Sequence, residues 1–522
     1  MKGKKIRSLF CAAALTLSLA ACGSKSTTDY SGQTVTGEIT DIDGTAVTMQ
    51  LGELSEGGMP SHDVSDSSDS GQTPPDKPDG ETQSGSSFTA GEESVTLDFA
   101  NAEITKNDES IELGDLAEGD ILTVEVGSNN TAASATVESV GGGQSFGGSG
   151  EVTQGTAATT ISEDGTYSGG SYTSTGDDEN ALRVDGAAVT LDGVTVDKSA
   201  GVTSNTEDGE FYGMNAALLA MNGATVTIKN ATVTSSAQNG NGVFSYGSGT
   251  TVNISDSTIT TTADNSGGIQ TTGGGTVNVS GGAYTSNGYN SPTVYSTADI
   301  TVKNANLTAN NSEALVIEGK NSITLEDCYV TGNMSDTKGT SSSENVHNVM
   351  IYQSMSGDAD VGTSVFSMTG GSLVGSSGDM FYITNTHCLL TLSGVNIVNN
   401  DADGALLRVV GNSASRGWGT AGSNGAQVEF AAGGQTLAGD IIVDTISNLT
   451  VTMKNGSTFT GTINIVDNAE GGTAVSDNAI VAIESGCTWN LTGNCTLTSL
   501  TNNGTINFNG YTITLADGTV LK

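Results

Sequence analysis

Val226-Thr-Ile228-Lys-Asn230, Val252-Asn-Ile254-Ser-Asp256, Val277-Asn-Val279-Ser-Gly281, Ile300-Thr-Val302-Lys-Asn304 and Ile323-Thr-Leu325-Glu-Asp327 are five copies of one phrase. Each has two apolar residues separated by one residue, then Gly, Asn or Asp. Their starts are almost evenly spaced along the chain. Further copies start at Val189, Phe366, Leu390, Val451 and Ile506. In all ten the third position is apolar, and the fifth is Gly193, Asn230, Asp256, Gly281, Asn304, Asp327, Gly370, Gly394, Asn455 or Gly510. Alternation marks a strand with one buried side. Gly, Asn and Asp are the residues that best accept a left-handed or turn backbone, so the phrase reads as strand, tight bend, strand.

Before most copies stands another apolar strand, such as Ala217-Leu-Leu-Ala220, Ala314-Leu-Val-Ile317 or Ala405-Leu-Leu-Arg-Val409. Three short strands within one such interval describe one coil of a single-stranded parallel β-helix. A propeller blade needs a longer four-stranded unit, and a leucine-rich repeat needs its own consensus. Pro292 alone interrupts the region, as expected where each strand donates ladder hydrogen bonds. The expected fold class is all-β, a parallel β-helix with three strands per coil, preceded by a small β-barrel. Right-handedness is taken from the commoner class of such coils, not from the spacing.

Composition agrees. Gly is 72 of 522 residues and charged residues are 14%, against an ordinary share of about 25%. So many Gly, Asn and Thr residues would weaken any long helix. With 17 basic and 58 acidic residues the net charge is −41, which excludes a polyanion such as nucleic acid as a natural partner.

Residues 1–21 place Lys2, Lys4, Lys5 and Arg7 before an apolar run from Ser8 to Leu19, which reads as a secretory signal peptide. The run is shorter than the roughly 20 residues a spanning helix needs. Leu19-Ala20-Ala21-Cys22 resembles a bacterial lipobox, in which that cysteine is acylated and becomes the mature N-terminus. The resemblance implies a lipid-anchored protein facing outside the cytoplasm, tethered by residues 22–32, with 13 basic and 58 acidic side chains and a net charge of −45.

Residues 33–140 hold two β-rich blocks, Val35 to Leu54 around Asp43-Gly44 and Val95 to Val140, split by a Ser-, Gly-, Asp- and Pro-rich insertion at 55–94 that reads as disordered. The Gly37 to Gly44 opening and the Asp115 to Asp120 turn resemble a small OB-like barrel of exported bacterial proteins. A Gly-rich hinge follows at 141–157, and the β-helix is assigned to 158–522. Its start, Thr160-Ile-Ser-Glu-Asp-Gly-Thr-Tyr167 with Leu182-Arg-Val-Asp-Gly186 and Val189-Thr-Leu-Asp-Gly193, resembles bacterial cell-surface β-helix modules of the carbohydrate-binding, pectate-lyase-like superfamily. That likeness spans about 40 residues and implies a sugar-binding module; it carries no calcium ligands over.

Coil spacing locates insertions at Glu207 to Asn215 and Thr331 to His347, after a third strand, and at Ser354 to Ser364 and Gly411 to Gln427, between first and second strands. The latter two share a corner two coils apart, about 10 Å at ~4.8 Å per coil. They hold Asp358, Asp360, Arg416 and Trp418, with Tyr352 and Arg408 on the strands leading in. Trp offers a flat face to a sugar ring and Arg pairs with a uronate carboxylate. A Trp418 folded back as a cap is the plainer alternative. Asp177 and Asp178, and Asp401 with Asp403, are candidate calcium ligands, although solvated acidic turns are the plainer reading because no EF-hand or nonapeptide pattern organises them. Of the four remaining cysteines, Cys487 and Cys495 are a candidate disulfide, while burial in the coil explains all four.

The residues therefore point to a carbohydrate-binding or adhesive surface module with a polysaccharide or another cell's surface as partner. Two alternatives stand: a polysaccharide lyase or glycoside hydrolase on the same fold, and a structural spacer. A hydrolase needs paired carboxylates, and only Asp177-Asp178 matches any of the acidic patterns on related coils. Gly143-Gln-Ser-Phe-Gly147 lies in the hinge without the strand and helix of a nucleophile elbow. No catalytic residue is assigned.

Overall fold

The computed structural model describes residues 30–56, 86–100, 102–106, 109–111, 113, 116, 121–138, 153–334, 346–354, 359–411 and 422–522. The chain divides into two compact units at Gly141/Gly142.

In the first unit, β1 (Thr34–Asp43), β2 (Ala46–Glu56), β3 (Ser86–Asp98), β4 (Glu103–Lys106), β5 (Glu109–Ile111), β6 (Ile121–Val126) and β7 (Ala132–Glu138) form one mixed sheet in the order β3-β2-β1-β6-β7-β4-β5. The expected hairpin closes at Gly44, whose φ of 63° suits a tight turn. Bulges in β1 and β3 bend the strands, and a bridge from Asp98 to Thr131 draws the far end of β3 toward the start of β7. The sheet thus curls over a core that includes Ile39, Val47, Met49, Leu97, Leu122 and Val124. Strand pairing reaches Glu56 and Ser86, so both ends of the stretch read as a disordered insertion at 55–94 are β-ladder; its middle lies outside the described residues. Polar residues can extend a hairpin once its apolar base has fixed the register, which is why composition alone misplaces those ends.

The second unit coils through three faces. Among the described residues, first-face strands run from Thr160–Ile161 to Ile463–Val466, second-face strands from Gly165–Ser168 to Ser499–Asn502, and third-face strands from Ser171–Ser174 to Asn396–Asn399. Thr436–Ala438, Thr458–Gly461, Thr488–Leu491 and Thr505–Asn507 form a further sheet of four strands toward the C-terminal end. Within each of these four sheets neighbouring strands are parallel, as in Leu218↔Val243, Val226↔Val252 and Val233↔Ile259.

The repeat phrase occupies the second face in strict register. Val189, Val226, Val252, Val277, Ile300, Ile323, Phe366 and Leu390 pair successively. The column continues through Phe430, Val451, Val481 and Leu500. Phe430-Ala-Ala432-Gly-Gly434 is a further copy of the phrase, and Val481 and Ile483 keep its two apolar positions with Ser485 at the fifth. Ile506 is the exception: it pairs with Trp489, whose neighbour is Phe459, in the four-stranded sheet. Alternation has the same period on every face, so Ile506 carries the phrase without its position. The interval from Val481 to its second-face partner Leu500 is shorter than any earlier one in the column, and this shortened coil puts the next strand on another face.

All ten fifth-position residues have φ between 46° and 91°. A side chain at Gly281 would also bring its Cβ within 2.4 Å of Asp256 Oδ1. Inward residues of the three faces merge into one apolar column, most of them fully buried, at ~1.5–3 kcal/mol for each large side chain. The open edge of the first coil is closed by Arg183, whose guanidinium donates to the carbonyls of Gln154, Gly155 and Thr156. At the other end the parallel order stops with an antiparallel pair, Ile513–Leu515 with Val520–Leu521. Both devices cover edges that would otherwise template association.

Cys328, Cys388, Cys487 and Cys495 are buried and free, so the candidate Cys487–Cys495 disulfide is not formed. Burial pushes the thiols of Cys328 and Cys388 up, and that of Cys495 to about 11.

The turn column and the buried thiols can each be tested. Asn304 sits at φ 53°, so Asn304→Val should cost about 1–2 kcal/mol in denaturant unfolding, while Asn304→Gly leaves the midpoint nearly unchanged. At pH 8, iodoacetamide followed by peptide mapping should leave these four cysteines unlabelled in the native chain and label them all in urea.

Candidate functional site: a cleft on the first face

Strands with one buried side alternate, yet Leu218–Met221, Leu315–Glu318, His347–Tyr352 and Asp379–Thr384 are buried at every position. Their outward side is therefore covered too. Part of the cover is a short helix, α1 (Thr206–Tyr212), in the insertion expected at Glu207 to Asn215. The Asn205 side chain caps its start by accepting from the Glu207 N–H, and Gly213 ends it at φ 75°. Gln270 Nε2 donates to the Glu210 carbonyl and Thr272 Oγ1 to the Phe211 carbonyl at 2.5 Å, which bind the helix to the first face. Beneath it Ala216, Leu219, Met221 and Phe244 form a second, outer apolar cluster.

One outward column runs Phe244, Gln270, Tyr295, Val316, Met350, Tyr382, Arg408 on successive coils. Beside α1 this column opens into a cleft of about 100 Å³. Phe211 meets Tyr295 edge-on at 6.4 Å and forms one wall with Val316, Met350 and Tyr352. Glu210, Asn241, Asn265, Gln270, Asn290 and Glu313 supply the polar lining. Asn265 and Asn290 are held in left-handed corners, and Asn290 Nδ2 donates to Asn265 Oδ1 at 2.9 Å.

Behind the wall lies Glu318, with no exposed surface. Its Oε2 accepts the Tyr295 hydroxyl and, at 3.0 Å, the Tyr352 hydroxyl. Burial first, and then the Glu318 charge, holds the Tyr295 phenol well above its usual range, so it stays protonated and donating. The Glu313 carboxylate lies 3.4 Å from His347 Nδ1 and accepts from the Ser312 hydroxyl, and the His347 ring stacks on Tyr382 at 5.0 Å.

Tyr352 and Arg408, both expected at the site, lie on the same face, but in different surroundings. Tyr352 enters the cleft. Arg408 grips Asp379 through Nε and Nη2, a bidentate pair that occupies the fork expected to face a uronate. It borders a separate pocket of about 90 Å³ with Asp444 and Asp467. Asp360 is exposed, 3.7 Å from Lys320. Asp358, Arg416 and Trp418 lie outside the described residues, as does Cys22. The insertions at Ser354 to Ser364 and Gly411 to Gln427 do fall between first- and second-face strands.

The two acidic turns sit at the same corner, eight strands apart along the third face. Asp177 and Asp178 accept the N–H groups of Val202 and Ser204. Nearby, fully buried Lys198 donates to Ser174 and to the Gly176 carbonyl; burial pulls its pKa down while Glu179, Asp177 and Asp178 push it back up. Asp401 accepts from Gly378 and Asp403, contacts that hold its carboxyl below the usual range. These carboxylates neutralise a buried lysine and cap backbone donors. Among the described residues no three His, Cys, Asp or Glu side chains converge as a metal site.

Sequence reasoning missed Glu318, Tyr295, Glu313 and Gln270. A signal was present: Ala217-Leu-Leu-Ala220 and Ala314-Leu-Val-Ile317 fail to alternate, which in this fold means a covered outer side.

A family described as a right-handed β-helix region matches residues 180–354, the stretch that contains the cleft. No curated protein and no solved structure matches the chain. With the three parallel faces, the match makes the second unit a right-handed parallel β-helix.

Calcium up to millimolar levels should leave the thermal midpoint unmoved, because both acidic turns already serve internal partners. A rise that grows with calcium and disappears in Asp178→Asn would instead place an ion there.

Proposed function

We propose that the chain is a carbohydrate-binding or adhesive surface module whose site is the first-face cleft. One observation carries this reading: aromatic walls and an amide- and carboxylate-lined floor lie along the coil axis, across consecutive coils from Asn241 to Tyr352. Flat rings beside convergent hydrogen-bonding groups suit a hydroxyl-rich chain. The site thus moves from the corner loops around Trp418 to the face beside α1. The lipobox-like Leu19 to Cys22 run supports acylation at Cys22 and display outside the cytoplasm.

Binding is favoured over hydrolysis or elimination by access. Glu318 is sealed behind two phenols, and Glu313 is 5% exposed. A glycosidase needs a carboxylate pair flanking the ligand; Glu210 and Glu313 both line the cleft, but Glu313 is engaged by the Ser312 hydroxyl and His347.

The mature chain, incubated with immobilised polysaccharides, should retain at least one glycan, and Tyr295→Ala with Tyr352→Ala should weaken retention at least tenfold while circular dichroism stays that of a β-helix. No retention on any glycan returns the protein to the spacer reading. In cells, Cys22→Ser should release the chain from the membrane fraction.

A further inference from the structure

A chain bound along its length must enter and leave its site, so the two ends of the cleft decide which part of a glycan fits. Along the outward column both ends are closed. On one side Phe244 has no exposed surface and lies in the apolar cluster beneath α1. Three side chains hold the end of the helix there: Asn241 Nδ2 donates to the Gly209 carbonyl, Gln270 Nε2 to that of Glu210 and Thr272 Oγ1 to that of Phe211. On the other side Tyr382, the neighbour of Met350 on the next coil, is buried with His347 stacked on its ring. Between these stops the lining sorts into an interior and a rim. Gln270, Tyr295, Val316, Met350 and Tyr352 keep at most 9% of their surface exposed. Glu210, Phe211, Asn265 and Pro292 are half-buried, and Asn290 is exposed. Asn265 and Asn290 are left-handed corner residues that precede the first-face strands Ile269–Thr272 and Val294–Ser296, so the mouth opens sideways at the corner. The volume is about 100 Å³. That is of the order of the roughly 150 Å³ that holds a single benzene ring, and below the roughly 300–1,000 Å³ of pockets that bury a drug-sized ligand.

We infer that the cleft holds one sugar residue at the end of a glycan chain, admitted through the corner, and excludes the chain interior. The inference rests on the carbohydrate-binding reading of the same cleft and names the part of the glycan it takes. A terminal residue is attached on one side only, so it can fill a site with a single mouth. An interior residue carries chain on two sides and would drive one of them into α1 or Tyr382. The rings of Phe211 and Tyr295, edge-on to one another, give the single residue an aromatic wall. A linear chain has the same two ends at any length, so such a site gains nothing from added residues, whereas a groove gains contacts with each residue until it is full.

The test measures the affinity of the full chain for the dimer and the hexamer of three series: β-1,4-linked glucose, β-1,4-linked N-acetylglucosamine and α-1,4-linked galacturonate. In a series that binds, dimer and hexamer should agree within about threefold. Hydrolysing the polymer of that series to hexamers should raise its potency as a competitor, at equal mass, in proportion to the chain ends produced. Val316→Phe, which fills the interior and leaves the rim intact, should weaken binding about tenfold or more with an unchanged circular dichroism spectrum. A hexamer that binds about tenfold tighter than its dimer, or a polymer whose potency at equal mass is unchanged by hydrolysis, would overturn the inference and leave a carbohydrate-binding groove. Wild-type affinity in Val316→Phe, or no binding in any series, would overturn the carbohydrate reading of the cleft as well.

Discussion

Each coil must bring the chain back to the same lateral position, one strand spacing further on, or the ladders of all three faces fail together. That constraint governs the second unit. Its most visible device is the left-handed residue after the second-face strands through Asn448–Lys454, where Asn230, Asp256, Asn304 and Asp327 share φ values near 50°. Such a residue costs an ordinary side chain about 1–2 kcal/mol, so only Gly, Asn and Asp occupy the column. Once the turn is set, short strands and the stacked aliphatic column follow.

This explains why so much of the second unit is readable from the sequence. The register repeats, and each copy of the phrase is an independent vote on the same geometry. Val226 through Leu390 lie where the phrase puts them. The misplacement of Ile506 shows the limit: alternation says that a strand has an inside, and only the count of residues since the previous turn says which face it joins. The same limit applies to the first unit, where β2 and β3 pair through residues whose composition is that of a linker.

The site is less legible because it lies where the repeat is broken. Long loops are where coil spacing directs attention, and the described candidates are accounted for by local partners: Arg408 by Asp379, Asp360 by Lys320, and Asp177 and Asp178 by backbone donors. The cleft is made instead by outward residues of ordinary strands, each unexceptional alone. Gln270, Tyr295, Val316 and Met350 are each a whole coil from the next in sequence and become neighbours only through the ladder. No local motif can announce a site built this way. The departure from alternation can, since a coil that is apolar on both sides must be covered on both.

Burying Glu318 is costly in isolation, and two phenol donors offset that cost. Leu there would leave both buried hydroxyls without their acceptor, whereas replacing all three polar groups by apolar ones of similar volume is commonly neutral or stabilising. The consequence of the carboxylate is orientation: it draws both hydroxyl protons inward and fixes the two phenols in the wall. The buried acid therefore sets how the two phenols stand in the aromatic wall without itself lining the cleft.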